Sequence, residues 1–229
     1  MDDTSGSPGT SPPSGATGPH ANQPVAASGT PLGESPAAMI LVHGRHGSPE
    51  GILAVARALE RPQFTYLAPA ASGNAWYPHS FLADRGANEP GLSSGLSVLR
   101  ALTDQVLAAG VSRERLILLG FSQGACLAAE FAYRYPSRYG GVVVYSGGLI
   151  GPPGSTWQAT GTLDHTPVFM GCSDIDAHIP KVRVDESAEV FREMGAEVTK
   201  RIYPRMGHLV NDDEIAFTRS LMDTLLEDG

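Results

Sequence analysis

Cysteine is scarce: Cys126 and Cys172 are the only two in 229 residues. A disulfide scaffold is excluded, and two free thiols in a reducing cytoplasm are the simpler reading. Positive charge is also in deficit, with 16 Lys and Arg against 24 Asp and Glu and a net charge of -8. Such a chain has no electrostatic reason to seek nucleic acid or an anionic membrane surface. No apolar run is long enough to span a bilayer. The opening Met1-Asp2-Asp3 has no apolar segment behind it, so no signal peptide is expected and the cytoplasm is the expected location. Residues 1–21 contain no Ile, Leu, Phe, Trp or Tyr. A segment of Ser, Thr, Gly, Pro and Ala cannot bury enough apolar surface to offset its ordering entropy, so residues 1–21 read as a disordered tail. One folded domain is expected over 22–229.

What is present is a chain that is 41% apolar, enough for a substantial core. Gln23 to Ser28 reads as an edge strand. Ala38–His43, Phe64–Leu67, Leu116–Phe121, Gly141–Tyr145, Val168–Gly171 and Glu197–Tyr203 read as further strands. Between them, Pro49–Glu60, Leu92–Ala109, Ser122–Tyr135, Asp185–Met194 and Asp212–Glu227 have helical spacing. The alternation predicts an α/β fold: a mostly parallel central sheet, helices on both faces, and an antiparallel edge at the N-terminus.

The pattern Gly-x-Ser-x-Gly occurs twice, at Gly91–Gly95 and at Gly120–Gly124. It is weak alone and is decided by context, because a nucleophilic serine needs a buried strand before it and a helix directly after it. Leu116-Ile117-Leu118-Leu119 and Ala125-Cys126-Leu127-Ala128-Ala129 supply both for Ser122. Ser93 follows Asn88-Glu89-Pro90, which cannot be a core strand, and it reads as a helix N-cap. The helix after Ser122 presents unpaired amides at its N-terminus, so the Gln123 amide can face an oxyanion. A second amide is expected from the loop His43-Gly44-Arg45-His46-Gly47, with Arg45 as donor.

In the α/β-hydrolase fold the catalytic acid and histidine follow the serine in that order. His208, in Pro204-Arg205-Met206-Gly207-His208 between the last strand and last helix, is the expected base. After Val168–Gly171 two carboxylates, Asp174 and Asp176, are available to orient it, and spacing does not separate them. The histidines are not at metal-ligand spacing, so no metal or organic cofactor is expected. The aromatic stretch 70–91, with Trp76, Tyr77 and Phe81, reads as a pocket wall for an acyl or aryl group.

With these residues placed, the chain resembles the phospholipase/carboxylesterase family of α/β-hydrolases over roughly residues 23 to 229. The motifs are His43-Gly44, Gly120-Phe121-Ser122-Gln123-Gly124-Ala125, Asp174-x-Asp176-x-x-Ile179-Pro180 and Gly207-His208. The resemblance makes Asp176, four residues before the proline, the triad acid and leaves Asp174 to brace the loop. It implies a serine carboxylesterase acting on small to medium acyl or aryl esters, with acyl thioesters or lysophospholipids as the alternative substrates. A non-catalytic binder on the same fold is the rival class. The partner expected is a small-molecule ester, and a homodimer is left open. The family commonly has a small residue where this chain has His46.

Overall fold

The computed structural model describes residues 11–59 and 61–227. Seven strands form one sheet: β1 (Val25–Gly29), β2 (Ala37–Val42), β3 (Phe64–Pro69), β4 (Leu116–Phe121), β5 (Gly141–Tyr145), β6 (Pro167–Ser173) and β7 (Glu197–Tyr203), in the order β1-β3-β2-β4-β5-β6-β7. β1 pairs antiparallel with β3, from Val25 against Pro69 to Gly29 against Thr65. All other pairings are parallel.

Among the described residues, five α-helices cover the sheet: α1 (Pro49–Leu59), α2 (Gly91–Ala108), α3 (Gln123–Arg134), α4 (Lys181–Glu193) and α5 (Asp212–Glu227). The two-residue period of the strands divides the core. On β2, Ala38, Ile40 and Val42 join the cluster that holds the apolar sides of α2, α3 and α4. Ala37, Met39 and Leu41 join the other, under α1 and Met222 of α5. A strand buried on both faces therefore reads as the unbroken apolar run seen in the sequence. α4 starts four residues earlier than its spacing suggests. Its first turn carries Lys181 and Arg183, and Arg183 is buried by donating to the Leu149 and Gly151 carbonyls. That charged first turn masks the apolar period.

The tail differs from expectation. Residues 1–10 lie outside the described residues. The rest of the stretch read as disordered includes an ordered segment, and His20 is buried at 3% exposure. Its order comes from hydrogen bonds together with Pro13 and Ala16, which are buried or packed on the core, and a composition argument does not see the hydrogen bonds. The Thr17 amide donates to Ser97 Oγ at 2.9 Å and the His20 amide to Ser94 Oγ at 2.9 Å. Among the described residues, no helix is long and apolar enough to cross a membrane.

Candidate active site

The parallel strands end together, and the loops that leave them build the site. β4 ends at Phe121, and Ser122 stands at φ 56°, ψ −121° before α3 begins. This sharp turn is strained for a residue with a side chain and lifts the hydroxyl out of the sheet. The flanking glycines are forced by close approach. A Cβ at Gly120 would lie 2.3 Å from the Gly124 carbonyl oxygen, and one at Gly124 would lie 2.1 Å from that of Val42.

His208, in the loop between β7 and α5, accepts the Ser122 Oγ–H at its Nε2 over 2.8 Å. Its Nδ1–H donates to Asp176 Oδ2 over 2.7 Å. The Asp176 side chain is fully buried. Burial pushes its carboxyl up, but the His208 hydrogen bond and the amides of His178 and Ile179 outweigh burial and hold it below its ordinary value. It is thus an ionised acceptor behind the imidazole. Asp174 takes a different place: its Oδ1 accepts the Arg205 amide at 2.7 Å, bracing the histidine loop. Phe121 packs on the His208 ring at 5.0 Å, and His178 meets it edge-on at 4.8 Å.

The amides of Gln123 and Arg45 donate to no protein acceptor among the described residues. The 43–47 loop passes so close to the serine that a Cβ on Gly44 would sit 3.2 Å from Ser122 Cβ. His46 has φ 61°, a left-handed conformation that favours glycine. The Arg45 guanidinium donates to the carbonyls of Tyr77, Pro78 and His79 at 2.6–2.9 Å. It therefore ties this loop to the facing wall.

A cavity of about 460 Å³ opens over Ser122. Its lining runs from buried Tyr77, Phe81, Cys126 and Ile179 to exposed His46, His79 and His178. Trp76, expected in the pocket wall, is a correction: it is fully buried and does not line the cavity. Its Nε1–H donates to the His43 carbonyl at 2.9 Å, and its amide donates to Gln123 Oε1 at 2.9 Å. It supports the wall from behind. Ser93 is a second correction. α2 begins at Gly91, and Ser93 lies in the first turn, where the Glu89 carboxylate accepts both its amide and its hydroxyl. The sequence reading missed Cys126 and Ile179. Cys126 lies one helical turn beyond Ser122, a spacing that could have flagged it. Burial pushes its thiol up to about 12, so it is no rival nucleophile.

The sheet order and the strand–serine–helix turn are those of an α/β-hydrolase. The phospholipase/carboxylesterase family profile matches residues 29–226, and the chain belongs to that family. A solved phospholipase/carboxylesterase from Dyadobacter fermentans is 34% identical, with a TM-score of 0.85 over 92% of this chain and 99% of that one. Acyl-protein thioesterase 1 of Eremothecium gossypii is 28% identical over 81% of this chain and 88% of its own. The carboxylesterase of Bacillus cereus, 18% identical with a TM-score of 0.72 over 89% and 94% of the two chains, shares the fold. This membership and these relatives support a carboxylesterase or acyl-protein thioesterase activity.

Proposed function

We propose that the protein is a serine carboxylesterase that cleaves small to medium acyl or aryl esters through an acyl-enzyme. The observation that carries this reading is the continuous chain from Asp176 through His208 to Ser122, with both links at hydrogen-bond distance. His208 Nε2 takes the Ser122 proton as Oγ attacks the ester carbonyl carbon. The carbonyl electron pair moves to oxygen, where the amides of Gln123 and Arg45 receive it. Collapse expels the alkoxide, which takes the proton from the imidazolium. Water then gives a proton to His208 as its oxygen attacks the acyl carbon; the acyl–Oγ bond breaks, Oγ takes the proton back from His208, and the acid leaves with Ser122 regenerated. Asp176 stays ionised throughout and stabilises the imidazolium.

The buried part of the cavity, Tyr77, Phe81, Cys126 and Ile179, suits a modest acyl or aryl group. The same machinery serves thioesters, which the name of the Eremothecium relative brings to mind. Both cysteines are unpaired and buried, which fits work in a reducing compartment such as the cytoplasm. The test is a rate series over p-nitrophenyl esters of graded acyl length, with matched thioesters, alongside labelling by a fluorophosphonate probe. Labelling at Ser122 with rates highest for short and medium esters is expected. No labelling and no turnover would leave a non-catalytic binder.

A further inference from the structure

The second Gly-x-Ser-x-Gly segment, which opens α2, has no part in the proposed chemistry, and the N-terminal segment packs onto it. Ser94 Oγ accepts the His20 amide and donates to the Thr17 carbonyl at 2.8 Å. Gly18 has φ +82°, and a Cβ there would lie 2.7 Å from Ser94 Cβ. Residues 17–20 therefore lie flat on α2 only with glycine at 18. They also precede residues 29–226, the part matched by the family.

This strap reaches the wall of the site through His20. The Ser72 amide donates to His20 Nδ1 at 3.0 Å, and His20 Nε2–H donates to the Trp76 carbonyl at 3.0 Å. The first bond requires a bare Nδ1, so the ring is neutral and protonated at Nε2. His43 carries the other tautomer: its Nε2 accepts the Ala71 amide and its Nδ1–H donates to the Gly44 carbonyl. The Trp76 ring contacts both imidazoles, 5.3 Å from His20 and 5.1 Å from His43.

The segment held this way grips the site itself. Trp76 and Tyr77 fix both ends of the Gln123 amide side chain, at 2.9 and 2.8 Å. The Asn74 carbonyl accepts the His46 amide at 2.7 Å. We infer that residues 17–20 are a strap and that His20 is a positioning residue for acyl transfer. His20 sets segment 72–77, and through it Gln123 and the 43–47 loop.

The inference rests on the proposed role of Ser122, and its test separates the two. In the full-length protein, kcat and KM for p-nitrophenyl acetate are measured at 20 °C for His20→Ala, Gly18→Ala and His20→Asn. Circular dichroism checks that each variant is folded at that temperature. His20→Ala and Gly18→Ala each lower kcat about tenfold, the scale expected when oxyanion donors are displaced by a fraction of an ångström, while KM stays within about twofold. His20→Asn, which keeps an acceptor near Nδ1, recovers part of the rate. Ser94→Ala added to His20→Ala costs little more, because both release one strap. Folded His20→Ala and Gly18→Ala with wild-type kcat overturn the inference. If the wild type neither reacts nor labels, the reading of Ser122 fails instead. The strap is then judged by nitrogen-15 NMR of His20: a pure neutral Nε2–H tautomer supports the clamp, and averaged tautomers refute it.

Discussion

Gly120–Gly124 and Gly91–Gly95 carry the same five-residue pattern. In the first, the serine sits at positive φ between β4 and α3 and hydrogen-bonds to His208. In the second, the serine lies inside the first turn of α2 and bonds to Glu89. The glycines are demanded in both, by different neighbours. Those of the first face backbone carbonyls of the elbow and of β2. Gly91 and Gly95 face Trp76: a Cβ would lie 2.7 Å from its carbonyl oxygen in one case and 3.3 Å from its ring in the other. One pattern thus serves the proposed nucleophile and a packing seat. The preceding strand, rather than the motif, separates them.

The sharpest way to break the comparison is to exchange the serines for alanine. Ser122→Ala is expected to lose about 10³-fold or more in kcat, and Ser93→Ala to stay within about twofold. Equal losses in a p-nitrophenyl ester assay would erase the distinction. The aspartates extend it. Asp176→Asn should cost about 10² to 10³-fold in kcat with an unchanged melting temperature. Asp174→Ala, which strips the acceptor from the Arg205 amide, should act on melting temperature first. A catalytic collapse confined to Asp174 would reverse the two roles.

The glycines give a smaller contrast, read in denaturant. Gly124→Ala drives a methyl into backbone and should cost about 3 kcal/mol or more. Gly95→Ala meets the mobile end of Leu127 at 2.9 Å and should cost about 1–2 kcal/mol. Comparable losses would mean that the elbow backbone can yield.

A pH contrast concerns Glu214, fully buried at the start of α5, with Oε1 lacking any hydrogen-bond partner among the described residues and Oε2 accepting the Asn211 amide. Burial raises its carboxyl to about 7. The unfolded chain gives up that proton first, near the ordinary value of about 4.3. The stability tied to the protonated form is therefore full below that value and lost as pH rises through about 7. His20 and His43, held below their ordinary value by burial, act oppositely. Their stability is present above about 6.5 and lost as pH falls. Melting temperatures from pH 5 to 8 should show Glu214→Gln removing the loss that accompanies rising pH and leaving the loss on acidification. An unchanged slope would show that Glu214 does not titrate in that range.

Most of the sheet was legible because strands buried on two faces are written as apolar runs, as in Leu116–Leu119. The serine and histidine were legible because the fold fixes their order along the chain. The choice between Asp174 and Asp176 was not, since both follow β6 at equally plausible spacing; it needed the resemblance, and the two geometries differ only in three dimensions. Trp76 and Tyr77 are adjacent in sequence yet face a core and a cavity, and composition treats them alike. His20 escaped notice because its burial is secured by polar partners 52 to 74 residues away.

Arg45 gathers the carbonyls of three successive residues, Tyr77, Pro78 and His79. The wall of the proposed acyl pocket and the loop proposed to offer the second oxyanion amide are therefore tied into one mechanical piece. On the proposed reading, selectivity and turnover are coupled as a result. A substitution at 77–79 that widens the pocket also shifts the backbone at 45, so a directed-evolution campaign for larger substrates would pay in rate unless position 45 is varied alongside.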